Sequence, residues 1–275
     1  MKIKHVDKVK SDSYKLILNS VYGNFKSSFS KIYSPRSSFT ICVYGQIAIF
    51  DLARMLFNAG YLPININTDG VAYIASKCVS RASEEVCKEW EQKYTGLVLE
   101  IDKFKKWIQK DVNNYVAVDW DDHIKTKGGD VNKYSDNKYF SNNSLRIVHI
   151  ALVEYLINGT PPMETIKANL DKPELFQIVL KAGSTFKGVV DSNHHFQQKV
   201  NRVFAVREEV PHTRLYKLRS DDALVNFPDA PENMMLWNDD CKNIDLKDFK
   251  SKISKKYYEA IVKKKLEGWG QKCLM

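Results

Sequence analysis

Residues 61–74, with the sequence YLPININTDGVAYI, constrain the fold of this chain more than any other stretch. β-Branched and aromatic residues, which favour strands, flank the central Asn-Thr-Asp-Gly sequence on both sides. The Asp69-Gly70 pair is a turn signal, because glycine tolerates the positive φ that tight hairpin turns require. The stretch therefore predicts two antiparallel strands joined by a short turn. Taken alone, it explains Asp69 as an ordinary turn residue.

The segment YKLILNSVYG at residues 14–23 predicts a helix with one polar face. Lys15, Asn19 and Tyr22 are spaced i, i+4 and i+7, so they lie on the same side of a helix. Apolar residues elsewhere on the wheel can pack, the preceding Ser-Asp-Ser sequence can cap the first turn, and Gly23 can end the last one. The row of ammonium, amide and phenol groups suits a nucleoside triphosphate. A surface face that happens to carry one Lys and one Asn is the alternative.

A second hairpin is predicted further along, with strands at residues 115–118 and 124–127 and an acidic turn at 119–122. Its basic, aromatic and small residues are typical of a surface that a nucleic-acid backbone approaches closely. These residues are Lys110, Tyr115, Lys125, Lys127 and Gly128. Lys125 and Lys127 are two apart and therefore share a face of their strand. Solvated edge strands commonly carry Lys as well, which is the alternative explanation.

The order of the three segments resembles that of family B DNA polymerases. The pattern K-x-x-x-N-S-x-Y-G at residues 15–23 is similar to the fingers-helix motif of that family. The Thr-Asp hairpin resembles the palm motif with its D-T-D-S core, and the K-D-V-N-N-Y and K-x-K-G-G sequences resemble the element that holds the primer–template duplex. The versions in this chain look most like those of bacteriophage polymerases. The resemblance continues more weakly over nearly the whole chain.

The resemblance implies transfer of deoxynucleotides to a primer 3′ end by two-metal chemistry, with Mg²⁺ or Mn²⁺ as cofactor. It implies that Asp69 is catalytic and holds metal, that Lys15 neutralises the triphosphate, and that Asn19 orients it. Tyr22 and Gly23 would line the nascent base pair. Primer–template DNA would lie on the residues of the second hairpin given above.

Two departures from the family pattern affect the expected activity. Asn67 replaces the first Asp of D-T-D-S, and Gly70 replaces its Ser. The upstream D-x-x-S-L-Y-P-like strand, which supplies another metal-binding Asp, and an exonuclease domain are not found in the sequence. We therefore expect a split gene or a shortened chain that is inactive alone and needs a second polypeptide. Glu100 or Asp102 is a weaker candidate for the further ligand. A DNA-binding subunit that kept the fold without the chemistry is the alternative function.

Composition agrees with a DNA partner and a reducing compartment. The 275 residues carry a net charge of +9, with a pI near 9.1, which favours a polyanionic ligand. Five cysteines form no C-x-x-C pair, so neither a disulfide framework nor a zinc site is expected, and His194 and His195 are expected to be exposed. No membrane-spanning run is expected. The predicted location is the cytoplasm of an infected bacterial host, without a membrane partner.

The predicted fold class is α+β, an incomplete polymerase palm of antiparallel sheet with helices on one face, followed by a mixed, largely helical thumb. The predicted segments are the end of the fingers at residues 1–40, the palm at 41–140 and the thumb at 141–275. Apart from the features above, the sequence predicts a loop at 24–40, helices at 41–59, 80–94, 145–158, 163–170 and 254–268, a short strand at 97–101 and extended structure at 196–217. The helix at 41–59 is expected to be buried on nearly all sides, and the helix at 80–94 to pack through Val86, Cys87, Trp90 and Tyr94. Asn143 or Ser144 is expected to cap the helix at 145–158, and the polar segment 134–144 is the expected boundary between palm and thumb.

Overall fold

The structure, a computed structural model, describes residues 7–136 and 142–270. It is an α+β fold with antiparallel sheets, as predicted. The chain divides into two compact units, Met1–Lys103 and Phe104–Met275, and each has its own hydrophobic core. The boundary expected near residues 134–144 lies partly outside the described residues. The assignment of fingers, palm and thumb segments stays a prediction.

Within residues 7–103, the first unit contains three helices and one hairpin. They are α1 (Lys8–Lys26), α2 (Pro35–Asn58), β1 (Tyr61–Ile66), β2 (Val71–Ala75) and α3 (Ser83–Lys93). The central hairpin is confirmed, with Ile66 paired to Val71 next to the turn. Its turn differs from the expected one, because Gly70 does not adopt a positive φ. The Asn67 side chain instead accepts the N–H of Asp69, at 3.0 Å, and shapes the loop.

Helix α1 is longer at both ends than the sequence predicts. Its N-cap is Asp7, whose carboxylate accepts the N–H of Lys10 at 3.0 Å, and not one of residues 11–13. The helix also continues through Gly23 to Lys26, so Gly23 does not end it. Its apolar side chains do not pack as expected. The exposed ones in this helix are Val9, Tyr14, Leu16, Ile17, Leu18 and Val21.

Helix α2 begins at Pro35, inside the predicted loop. Pro35 stands at the first helical turn, where its missing N–H costs nothing, and the Ser34 side chain caps the helix. Only one side of α2 is buried, through residues that include Ala48, Leu52 and Leu56. The prediction that this helix is buried on nearly all sides is therefore wrong for the residues that the structure describes. Large apolar side chains exposed along this helix are Phe39, Ile41, Tyr44, Ile47, Phe50 and Phe57.

By length and composition alone, α2 is long and apolar enough to cross a membrane, contrary to the expectation that no such run exists. One such helix is weak evidence, because core helices of soluble proteins have the same properties. The contacts of α2 are those of a packed helix. Its buried Asp51 binds Lys93 of α3 at 2.6 Å, and the Trp90 indole donates to the Ala48 carbonyl at 2.8 Å.

Helix α3 packs through the predicted stripe of Val86, Cys87, Trp90 and Tyr94. The expected strand at residues 97–101 is not formed. The N–H of Leu99 donates to the Glu91 side chain at 2.7 Å, which replaces a bond to another strand.

The second unit opens with a three-stranded antiparallel sheet, β3 (Phe104–Asp111), β4 (Asn114–Asp119) and β5 (Ile124–Lys127). The predicted β4–β5 hairpin is confirmed. Strand β3 was not predicted, because two bulges interrupt the alternation of its inward and outward residues. Ile108, Val116 and Ile124 on one face of the sheet join the core of this unit.

The remainder of this unit mixes helices with short strands. The helices are α4 (Arg146–Asn158), α5 (Pro162–Ala168), α6 (Leu246–Lys252) and α7 (Lys255–Gly268), and 3-10 turns lie at Pro173–Leu175 and Cys241–Asn243. The strands are β6 (Ile178–Lys181), β7 (Gly188–Asp191), β8 (Phe196–Gln197), β9 (Val200–Ala205), β10 (Leu215–Leu218), β11 (Leu224–Asn226) and β12 (Met234–Leu236). They form the sheets β11-β10-β7-β8 and β12-β9-β6. The expected extended region thus contains β8, β9 and the start of β10.

Helices α4, α5 and α7 lie close to their predicted positions, but the cap of α4 was mispredicted. Leu145 precedes the helix with φ of 58° and gives no side-chain cap. Ser144 was an expected cap, yet its hydroxyl accepts the N–H of Val179 at 2.5 Å. At the centre of the core, the buried Tyr258 hydroxyl donates to the Phe176 carbonyl at 2.8 Å and accepts the N–H of Ala205. Helix α7 is thereby tied to two other elements.

Candidate nucleotide, metal and nucleic-acid sites

The polar row on α1 exists as the sequence predicts. Lys15, Asn19 and Tyr22 all lie within the helix at the expected spacing. Lys15 and Asn19 are exposed, and neither has an ion pair or a side-chain hydrogen bond to another described residue. Gly23 is exposed too, with no atom within 4 Å of where a Cβ would be. This face is open to a ligand.

Tyr22 is held in place by two neighbours. Its hydroxyl lies 2.9 Å from the Cys42 sulfur of α2, and the Lys26 ammonium lies 4.5 Å from the centre of its ring. A side-chain hydrogen bond with Tyr22 raises the pKa of Lys26, so this second cation stays charged beside the row. A groove of about 350 Å³ is lined by Lys26, Tyr33, Pro35, Ser38, Phe39 and Cys42.

Asp69 lies at the exposed tip of the β1–β2 hairpin. Its carboxylate has one weak local contact, to the Thr68 hydroxyl at 3.4 Å. Helix α2 packs against both α1 and β1, so it connects the helix that carries Lys15 to the hairpin that carries Asp69.

The residues around Asp69 do not fit a two-metal centre. In the part of the chain that the structure describes, Asp69 belongs to no group of three side chains able to hold a metal ion together. Asn67 is neutral, and its oxygen is engaged with the Asp69 backbone. The proposed alternatives Glu100 and Asp102 are exposed and do not join such a group with Asp69.

A group of that kind does occur in the β4–β5 turn, formed by Asp119, Asp121 and His123. Local hydrogen bonds account for its geometry. One oxygen of Asp119 accepts the N–H groups of Asp121 and His123, at 2.9 and 2.8 Å, and the other lies 3.1 Å from the His123 ring. Although burial alone would raise the pKa of Asp119, these N–H bonds lower it. The group is therefore explained as a turn on an exposed loop that hydrogen bonds to the Asp119 carboxylate stabilise.

The outward face of the β3–β4–β5 sheet carries aromatic rings and lysines. Tyr115 is paired with Lys127, and Ala117 with Lys125, so both lysines lie on the face that carries Tyr115. Lys125 is exposed, and its ammonium lies 5.5 Å from the centre of the Phe104 ring. We call Phe104, Trp107, Tyr115, Lys125 and Lys127 the aromatic–lysine face.

Two residues of this face were missed by the sequence analysis. Trp107 stacks on Tyr115, with ring centres 4.3 Å apart and planes 21° apart, and Phe104 meets Trp107 edge-on at 5.6 Å. Both lie on β3, whose bulges hid its alternation. The signal available in the sequence was the aromatic spacing within FKKW, close to a lysine-bearing hairpin.

Lys110 does not join the two other predicted lysines. Its ammonium binds one oxygen of Asp130 at 2.9 Å, and Lys265 of α7 binds the other at 2.6 Å. Burial alone would raise the pKa of Asp130, but the hydrogen bonds from the two lysines lower it to about 2. Lys110 is therefore engaged in tying the sheet to α7.

The backbone conformation and the close packing at position 128 require a glycine. Its φ is +106°, and a Cβ there would lie 2.1 Å from the Asn114 side-chain oxygen and 2.5 Å from the Asn113 carbonyl. The residue thus lets the end of β5 pass close to the β3–β4 turn. Its demonstrated role is this close packing.

His194 and His195 are exposed, as predicted. His195 lies 3.4 Å from Asp191, and His194 adopts a positive φ of 61° in the turn after β7. Cys42, Cys78, Cys87 and Cys241 are free, and Cys273 lies outside the described residues.

No family model and no curated protein matches the sequence. Among solved structures, the chain is similar to the family B DNA polymerase from the hyperthermophilic archaeon Pyrobaculum calidifontis, with a TM-score of 0.48 and 13% sequence identity. The similarity covers 86% of this chain and 31% of that chain. The chain therefore spans about a third of the length of this structural neighbour. So distant a likeness does not assign a function.

Proposed function

We propose that this chain is the C-terminal part of a bacteriophage-type family B DNA polymerase, comprising the end of the fingers, the palm and the thumb. The observation that carries the proposal is the α1 row, in which Lys15 and Asn19 are exposed beside the anchored Tyr22. The motif order in the sequence supports it, since Asp69 and the aromatic–lysine face follow along the chain.

In this proposal, the α1 row binds the incoming deoxynucleoside triphosphate. The Lys15 ammonium pairs with phosphate oxygens, the Asn19 amide donates to a phosphate or sugar oxygen, and Tyr22 and Gly23 lie against the base pair. Because Lys15 contacts phosphate and not the base, it serves all four nucleotides alike. Primer–template DNA lies on Tyr115, Lys125, Lys127 and Gly128. Lys110 contributes indirectly, because its ion pair with Asp130 holds the sheet against α7.

Metal ions would supply charge neutralisation for phosphoryl transfer, but one exposed carboxylate does not hold two of them. We therefore propose that Asp69 contributes to a Mg²⁺ or Mn²⁺ site that a second polypeptide completes, and that the chain alone is inactive. That polypeptide would bring the upstream palm strand and the exonuclease. Cytoplasmic replication in an infected bacterium is the setting that this proposal implies.

Among the described residues, Asp69 belongs to no group of three possible metal ligands, and this favours a second candidate, a DNA-binding subunit without catalysis. Both candidates bind DNA with an affinity that falls as salt rises, so DNA binding alone does not separate them. Nucleotide binding does separate them, because a subunit that lost the chemistry has no need of the α1 row.

The test is binding of fluorescent deoxynucleoside triphosphates to the full chain, followed by anisotropy. We expect Lys15→Ala to weaken binding of all four nucleotides equally, by roughly 10- to 100-fold for one lost charge-assisted contact. Lys10→Ala is the matched control, because Lys10 is exposed on another side of α1. A loss confined to one base would contradict the placement of Lys15, and no nucleotide binding at all would favour the second candidate.

Primer extension tests the role of Asp69. We expect little or no extension by the purified chain with Mg²⁺ or Mn²⁺, and a gain when a polypeptide carrying the missing strand is added. In that complemented assay, Asp69→Asn should abolish extension without changing thermal stability, because the Asp69 side chain has only the weak Thr68 contact. Asp121→Asn, at another exposed turn, should retain activity. Robust extension by the chain alone would refute the proposed need for a partner.

A further inference from the structure

The aromatic rings of the aromatic–lysine face are arranged in a row that binding of a DNA phosphate backbone alone does not require. Trp107 pairs in register with Ala117, and Tyr115 pairs with Gln109, so the two large rings are diagonal neighbours on β3 and β4. Diagonal neighbours on a sheet are within reach of aromatic side chains, and these two are stacked nearly parallel. The result is a row of three rings, Phe104, Trp107 and Tyr115, along one face of the sheet.

In the described part of the chain, the row of rings ends at Tyr115. In the described part of the chain, Tyr115 has one ring partner, Trp107, whereas Trp107 contacts Phe104 as well. Each ring has two faces, so the second face of Tyr115 is not taken by another aromatic side chain. Tyr115 is also only half-buried.

Lysines lie beside both ends of the row. Lys127 is directly across from Tyr115, and Lys125 lies over Phe104 at the other end. For Lys127, no carboxylate partner occurs among residues 7–136 and 142–270. A planar ring with an ammonium group a few ångströms away matches a nucleotide, whose base stacks while its phosphate pairs with the cation.

We propose that the aromatic–lysine face binds unpaired DNA, with one base stacked on Tyr115 as the fourth ring of the row and the adjoining phosphates on Lys127 and Lys125. Duplex DNA cannot make this contact, because its bases are already stacked within the helix. Phosphate pairing alone serves a duplex equally well. The proposal rests on the proposed function in that the ligand is DNA. It adds that the unpaired part of the primer–template, and not its duplex part, supplies the base that stacks on Tyr115.

The experiment compares three fluorescent probes on the full chain: an oligothymidylate, an abasic oligomer of the same length, and a duplex. We expect the oligothymidylate to bind roughly 10-fold more tightly than the abasic oligomer, as one stacked base provides. Tyr115→Leu should remove this difference between the two oligomers. Tyr115→Phe, which keeps the ring, should preserve it.

Two further variants separate stacking from phosphate pairing and from loss of structure. Lys127→Ala should weaken all three probes by a similar factor and lower the salt dependence of binding. Phe196→Leu is the matched control, because Phe196 is an exposed aromatic residue on another sheet of the same unit. Binding of the oligothymidylate should also quench tryptophan fluorescence, and Trp107→Phe should abolish that quenching while keeping a ring in the row.

The outcomes distinguish this inference from the proposed function. Equal affinity for the thymidylate and abasic probes, or an unchanged preference in Tyr115→Leu, overturns base stacking. If the duplex still binds in that case, the proposed function stands without this inference. If no DNA probe binds, both fail.

Discussion

Asp130→Asn tests how the second unit holds its first sheet against α7. The Asp130 carboxylate is the common partner of Lys110 on β3 and Lys265 on α7, and only 17% of its side chain is exposed. In the variant, an amide replaces the carboxylate and both ammonium groups lose their counter-charge. We expect a loss of stability, because neither lysine has a second carboxylate partner within the described residues.

The size of the loss follows from the pKa. A fall in the pKa of Asp130 from 3.8 to about 2 corresponds to about 2 kcal/mol at 1.36 kcal/mol per unit. Solvent reaches the two ammonium groups, whose side chains are 33% and 29% exposed, and screens part of this energy. We therefore expect roughly 1 to 2 kcal/mol, or about 2 to 8 °C in Tm for a unit of this size.

The direction of the pKa shift determines how the stabilisation by Asp130 changes with pH. Because the folded pKa lies below the unfolded value, the stabilisation is fully present above about pH 4 and is lost as the pH falls towards 2. Urea unfolding of the wild type and the variant should therefore differ at neutral pH and converge in acid. Asp171→Asn is the control, because its ion pair with Lys250 is exposed and should contribute less than about 1 kcal/mol. Equal stability of Asp130→Asn and the wild type at pH 7 would refute the reasoning.

Three other changes have definite expected outcomes. Gly128→Ala should destabilise the chain by about 2 to 4 kcal/mol in urea unfolding, because its Cβ would overlap the Asn114 side chain at a positive φ, whereas Gly129→Ala, with no atom within 4 Å, should stay within about 0.5 kcal/mol. His149→Leu should reduce the loss of stability between pH 6.5 and about pH 4. Burial lowers the pKa of His149 to about 3, so in the wild type the unfolded chain takes up a proton that the folded chain excludes, which costs up to about 1.4 kcal/mol per pH unit. Asp51→Asn should lower stability above about pH 4 and have no effect in strong acid, because the hydrogen bond from Lys93 lowers the pKa of Asp51.

The sequence predicted the elements that have one clear period. Helices α1, α3, α4 and α7 and both predicted hairpins have a continuous pattern of 3.6 or 2 residues, and each was found near its predicted position. Strand β3 was missed because its bulges break the alternation. Strands β6, β7, β11 and β12 were missed because they are only three or four residues long, and β7 is buried on both faces. Other errors were at ends of elements, where several residues compete to cap a helix. Asp7 caps α1 although residues 11–13 were predicted to do so, and Ser34 caps α2, which begins inside the predicted loop.

The polar row and the hairpin tip of the candidate site were predictable because neighbours in sequence decide them. Lys15, Asn19 and Tyr22 need only a helix to share a face, and Asp69 needs only a turn to be exposed. The role of Lys110 was not predictable, because its partner Asp130 comes from a loop 20 residues away. Nor was the Trp107–Tyr115 stack, which depends on the register between β3 and β4.

The two units differ in what their apolar residues do, and the difference bears on the proposed function. In the second unit, α4 and α7 bury their apolar stripes in one extended core. In the first unit, apolar side chains of α1, α2 and the hairpin remain exposed, including Leu18, Phe50 and Ile66. Exposed apolar area costs about 25 cal/mol per Å², so covering it would stabilise this unit. The unit with surplus apolar surface is also the one whose Asp69 joins no group of three possible metal ligands within the described residues. If the proposed second polypeptide bound beside the two-stranded sheet, it would cover this apolar surface and would also bring a further carboxylate to Asp69.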